Sequence, residues 1–241
     1  MTSAIERWFL RGAIATALLI AVRAEGAVTI NGLVVSDQGQ PVPQTLVTIT
    51  PSPASGIVSG PIVYRTVTDQ TGAFTVNISD PGNYAVCAGS LDAALLDSCL
   101  WLNSGATLSV SSSGSSQFKL TLQSGTRLRF RVNDPSHLLT RPGAPPPQNP
   151  QNSTFLGVGV WTNDGHYHHA QILSYDSNGF DYALIIPIGA NLLISFQSAN
   201  ISVLDSTGAP VGPSSPGLSF QSQANESATV RTFSVAPPPS N

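Results

Sequence analysis

Beyond residue 27 apolar and polar side chains alternate in short runs, and the runs are separated by Gly, Pro, Asn and Asp. A period of two puts successive side chains on opposite faces of a strand, so each run predicts a β-strand with one buried face. Leu128, Phe130 and Val132 alternate with Arg127, Arg129 and Arg131, and Phe118, Leu120 and Leu122 alternate with Lys119 and Thr121. The pattern predicts strands over 107–110, 117–122, 127–132, 155–162, 167–175, 181–186, 191–197, 201–204 and 229–235. Asn163-Asp164-Gly165, between two of these, is a hairpin signal. Asp37-Gln38-Gly39, Asp69-Gln70-Thr71-Gly72 and Asp80-Pro81-Gly82 predict tight turns and hence antiparallel neighbours. No helical periodicity of useful length follows the first two dozen residues, and the expected fold class is all-β.

Between Val28 and Val86 the order of turn and core residues is more specific than alternation. Gly32 and Val34 lead to Asp37, Gly39, Pro41 and Val42, then to Val47 and Ile49. Thr66, Thr68, Asp69, Gly72 and Phe74 follow, and Pro81, Gly82, Tyr84 and Val86 close the series. In this order the stretch resembles the carboxypeptidase regulatory-like domain, a transthyretin-like antiparallel β-sandwich related to starch-binding-like modules. The resemblance implies such a sandwich over about residues 27–123 of a bacterial exported protein, and it implies a fold rather than an activity. A weak repeat follows. Val132-Asn133-Asp134 matches Val35-Ser36-Asp37, Asp176-Ser177-Asn178-Gly179 matches Asp69 to Gly72, and Pro187-Ile188-Gly189 matches Pro81-Gly82. It predicts a second, divergent sandwich-like unit over 125–235, with the Pro-rich segment 141–150 as a loop inside it and a disordered tail over 236–241.

Composition changes the picture mainly at the start of the chain. Arg7 and Arg11 precede an apolar run over 12–22 that is short for a bilayer and is followed by small residues. This predicts a secretory signal peptide over residues 1–24, cleaved after Ala24 or Gly26. No later run is long enough to insert in a membrane, so a secreted or periplasmic location is expected, in the medium or at the cell envelope. Without the signal, seven basic residues face twelve acidic ones, which disfavours nucleic acid as a partner. In an oxidising compartment Cys87 and Cys99 are expected to close a structural disulfide; a redox pair or metal site is the alternative.

Candidate chemistry is sparse. His166 and His168 fall on one face of a predicted strand and offer two ligands to zinc or copper, with His137 or Asp164 as a third. Asp176 to Asp181 has the start of a calcium loop but lacks the later ligands, so a β-turn is expected. Trp101, Trp161 and Tyr167 have flat faces suited to sugar rings or equally to a protein partner, although core or rim packing is the commoner use of such residues. The arginine row reads as solvation and edge protection, or as a site for an acidic ligand. Asn77, Asn152, Asn200 and Asn225 begin Asn-x-Ser/Thr sequons, as chance produces in a chain this rich in Ser and Thr. Metallopeptidase, nucleophile-elbow, phosphate-loop and dinucleotide motifs do not occur. The sequence therefore points to a non-catalytic binding or structural module without cofactor, its ligand a carbohydrate or a protein; a metal-dependent or serine hydrolase with its site in the second unit is the alternative.

Overall fold

The structure is a computed structural model and describes residues 27–52, 63–101, 106–111, 116–143, 154–198, 200–212 and 217–237. The expected signal peptide, most of the Pro-rich segment, Ser112 to Ser115 and residues 238–241 lie outside the described residues.

The chain is all-β. The first sandwich contains β1 (Val28–Ser36), β2 (Leu46–Pro51), β3 (Tyr64–Val67), β4 (Ala73–Ile78), β5 (Gly82–Ala88), β6 (Ala106–Val110) and β7 (Ser116–Leu122). A four-residue helix, α1 (Ser98–Trp101), lies between β5 and β6. Its sheets have the orders β4-β1-β7 and β3-β2-β5-β6. The second sandwich begins with β8 (Thr126–Asn133), β9 (Gly157–Thr162), β10 (Tyr167–His169), β11 (Gln171–Asp176) and β12 (Gly179–Ile186). It continues with β13 (Asn191–Gln197), β14 (Ser202–Leu204), β15 (Pro210–Gly212), β16 (Leu218–Gln221) and β17 (Val230–Ala236). Its sheets have the orders β11-β12-β8-β17-β14-β15 and β10-β9-β13-β16. Each sandwich encloses its own apolar core, one built around Ile30, Ile49, Tyr84 and Leu122, the other around Phe130, Phe180, Ile194 and Phe233.

The two sandwiches repeat one topology. In chain order β1 to β7 correspond to β8, β9, β10, β12, β13, β16 and β17, and every sheet neighbour and its direction is kept. The second differs by additions at the two edges of one sheet, β11 beyond β12 and the β14–β15 hairpin beyond β17.

The motif residues have structural tasks. Gly32 occupies a core position of β1 opposite Phe74, and a Cβ there would fall 2.0 Å from Phe74 Cζ, so the bare glycine is what admits the ring. Asp69 Oδ1 accepts the backbone N–H groups of Thr71 (2.8 Å) and Ala73 (3.0 Å), while Gly72, at φ +75°, closes the turn. Asp205, Thr207 and Ala209 repeat these bonds between β14 and β15. Tyr84 is buried and donates its hydroxyl to Asp80 O at 2.6 Å, pinning the start of β5 to the bend before it.

Five expectations need correction. Neighbouring strands are not all antiparallel: β1 with β7 and β8 with β17 run parallel. The predicted strand 167–175 breaks at Ala170, whose N–H bonds Val158 O, and its halves join different sheets. Short β15 and β16 escape the pattern, because three- and four-residue strands give alternation too little length to register. The arginine row protects no edge: β8 lies between β12 and β17, and Arg131 is held by Asp176 (2.8 Å) and Asp181 (3.1 Å). Residue 236, expected in the tail, ends β17.

Candidate functional site at the junction and the Trp161 hairpin

Two places gather the residues singled out from the sequence. The first is the junction of the sandwiches. Cys87, in β5, and Cys99, in α1, form a disulfide that closes the intervening loop. Asp97 Oδ1 caps α1 by accepting the N–H groups of Cys99 (2.9 Å) and Leu100 (3.2 Å). The loop is bonded to the segment that leads into β8, through Leu96 N–H to Gln123 O (2.9 Å) and Gly125 N–H to Ala94 O (2.8 Å). Arg127 donates to Leu91 O and lies 3.7 Å from Asp92.

The loop covers the outer side of β12. This explains why Ala183, Leu184, Ile185 and Ile186 are buried in succession instead of alternating: one set faces the core and the other faces the loop. A cleft of about 100 Å³ remains there, lined by Leu91, Leu95, Trp101, Gln171 and Ile185 among others. That is below the roughly 300–1,000 Å³ of small-molecule pockets.

Trp101 ends α1 and stacks on His168, with ring centroids 3.9 Å apart and planes 17° apart. One Trp101 face is therefore taken by the second sandwich. His168 is 5% exposed, and its Nδ1 finds no partner among the described residues. Burial, reinforced by nearby His166, pushes its pKa below the ordinary value, against the weaker opposing pull of Asp164 and Asp97. A histidine kept neutral by folding binds more protons when unfolded, so its contribution is complete above pH about 6.5 and is lost as pH falls below it. Melting temperature is therefore expected to fall between pH 7.5 and 5 in the parent and to fall less in His168→Gln. Equal slopes would remove His168 from the account.

The second place is the β9–β10 hairpin. Its Asn163-Asp164-Gly165 turn is closed by Thr162 N–H to His166 O (2.9 Å), with Gly165 at φ +85°. Trp161 and Tyr167 are directly paired across the strands, their rings 5.1 Å apart and tilted by 52°. Tyr167 lies over Gly159, where a Cβ would come 2.8 Å from Tyr167 Cζ, and its hydroxyl donates to Ser195 O at 3.2 Å. Burial pushes this hydroxyl's pKa up to about 12. The ring edge of His169 meets Tyr167 at 4.6 Å. The result is a half-buried aromatic knob whose two main rings are not coplanar. Beside it an open depression of about 300 Å³ is bordered by Asn163, Asn191, Leu193 and Ser219.

The candidate metal ligands are dispersed. His166 is exposed at the turn, 3.7 Å from Asp164, whereas His168 is buried under Trp101. His137 follows β8 and meets Arg141 at 3.2 Å. Among the described residues no three His, Cys, Asp or Glu side chains are placed together to hold a metal ion. Asp176 to Asp181 forms a turn: Asp176 Oδ1 accepts Asn178 N–H at 2.7 Å. The hydrogen bond from Arg131 is the largest of the effects that hold the Asp176 carboxyl below the usual range. The Trp101–His168 stack is the feature that sequence reasoning missed. Its partners lie far apart in the chain, and the inward register of His168 on β10 was the available signal.

No family model matches the chain, and no curated protein matches it. Solved structures match the chain only at low similarity. Over 88% of this chain it is similar to a streptococcal ancillary pilin, with 13% identity, a TM-score of 0.38 and 63% of that chain covered. Over 89% it is similar to GBS52, the minor pilin of Streptococcus agalactiae, with 8% identity, a TM-score of 0.35 and 98% of that chain covered. The Bacillus anthracis TIE protein is matched over 88% of this chain, with 10% identity and a TM-score of 0.33. There the chain spans about a third, 34%, of the matched protein's length. At these TM-scores and identities the likenesses carry nothing about ligand or activity.

Proposed function

We propose that the mature chain is an exported, non-catalytic module of structural or accessory type that works through contacts with a protein at the cell envelope. Its first sandwich, residues 27–123, is of the carboxypeptidase regulatory-like kind, and its second, residues 125–235, is a divergent copy of the same design. One observation carries the reading. The disulfide loop and Trp101 occupy the face between the sandwiches, where two-unit enzymes commonly enclose a substrate, and leave a cleft of only about 100 Å³. The chain is then a joined pair of sandwiches whose outer surfaces are what it offers.

A second reading is favoured by the depression beside Trp161: amide groups of Asn163 and Asn191 next to an indole suit a carbohydrate. The 52° tilt between Trp161 and Tyr167 departs from a flat sugar platform, which places this reading second. Nothing supports the hydrolase alternative.

The test is a glycan array of the mature protein beside Trp161→Ala, with a parallel panel of chromogenic esters, glycosides and peptides, with and without zinc. A structural module gives neither array signal nor turnover. Array binding lost in Trp161→Ala assigns the carbohydrate reading, and turnover that co-purifies with the folded protein overturns both.

A further inference from the structure

We propose that β11 is a self-association edge, pairing antiparallel with β11 of a second copy so that the two sheets become one. This rests on the reading of the chain as a structural module and names its partner. Strand β11 is an addition that the first sandwich lacks, and it ends its sheet. All six of its residues are exposed, including Ile172 at 46%, Leu173 at 44% and Tyr175 at 48%. An edge with exposed apolar side chains is a template for another strand, and among the described residues it is touched at its Asp176 end, where Pro142 O accepts the Tyr175 hydroxyl and Arg141 donates to Asp176 O. Three of the other edge strands among the described residues carry a guard, whereas β4, β6, β10 and β16 have no Lys, Arg or Pro but are shorter or less exposed than β11. Arg65 lies on β3, Lys119 on β7, and β15 is three residues long and starts with Pro210.

The bulge in β11 selects the partner. Pairing with β12 slips by one residue between Ile172 and Ser174. Ile172 pairs with Tyr182 and Tyr175 with Phe180, so these two residues, three apart, share the core-side face of the sheet. Gln171, Ser174 and Asp176 take the other face. A two-fold axis between Leu173 and Ser174 then sets Ile172 opposite Tyr175 of the second copy, twice, and Gln171 opposite Asp176, twice. Both of these pairs join residues of the same face, and Ile–Tyr is a favourable cross-strand pair. Charge fits as well. The strand's only ionised side chain is Asp176, already engaged by Arg131 at 2.8 Å, so no like charges oppose each other across the axis.

The test is sedimentation of the mature protein over a concentration series, beside Ile172→Lys. The parent is expected to dimerise, and the variant to dimerise about tenfold more weakly, since each lost pair is counted twice. Near-ultraviolet circular dichroism of the exposed-site variant checks its folding. A second measurement reads the register: mixing Ile172→Cys with Tyr175→Cys chains is expected to give a disulfide-linked dimer that neither gives alone. A monomer at every concentration, or a dimer indifferent to Ile172→Lys and not cross-linked in the mixture, overturns the proposal. A monomer without turnover or glycan binding would still leave the structural reading standing, so the two fail separately.

Discussion

Phe130→Ala is expected to lower the stability of the second sandwich by about 3–5 kcal/mol, the usual cost of emptying a buried aromatic site. Phe130 is 1% exposed on the central strand β8, and its ring lies 6.3 Å from Phe233, which in turn meets Phe196 edge-on at 4.7 Å. The three rings come from strands in both sheets, so the cavity would open where the layers are joined and could not collapse by moving one strand. Urea unfolding of the mature protein, followed by tryptophan fluorescence, measures the effect. The first sandwich has a core of its own and is expected to keep its transition midpoint. A midpoint shift shared equally by both, or a loss below about 1 kcal/mol, would mean that the two cores do not behave as separate bodies.

Removal of the disulfide is expected to have the next largest effect. Cys87 and Cys99 are 12 residues apart, and the loop-closure account gives about 3 kcal/mol for a ring of that size. Cys87→Ala/Cys99→Ala is therefore expected to be destabilised by about that amount in chemical unfolding. The damage is also expected to cross the junction, because α1 carries both Cys99 and Trp101. Freed from its cover, the His168 imidazole should regain solvent and titrate closer to its ordinary value, which an NMR titration of the histidine ring protons reads directly. An unchanged His168 titration in the double variant would show that the Trp101 stack holds without the bridge.

The strands were legible wherever one face is buried and the other wet. The run 127–132 became β8 with one residue added at each end, and 191–197 was read to the residue. The motif residues from Gly32 to Tyr84 were legible for a related reason: each is fixed by a local backbone need, such as the ring over Gly32 or the turn at Gly72. Function was harder to read because the informative contacts are between residues far apart in the chain. Trp101 was readable as a packing residue or a ligand face, but the ring it packs on comes from β10, a neighbour that alternation does not name. Likewise the arginine row suggested an exposed basic stripe, while the carboxylates that meet Arg131 belong to the turn of another hairpin. Period-two alternation reports which side of a strand is wet, and it is silent about which neighbour later covers that side.

The parallel pairing of the first and last strands in each sandwich, β1 with β7 and β8 with β17, has a mechanical consequence. When a sandwich is pulled by its two ends, parallel terminal strands are dragged past each other lengthwise. Their hydrogen bonds are then loaded together, in shear, instead of being peeled open one at a time as in a hairpin. Both sandwiches in the chain present this geometry to a tensile load, one after the other along the polypeptide.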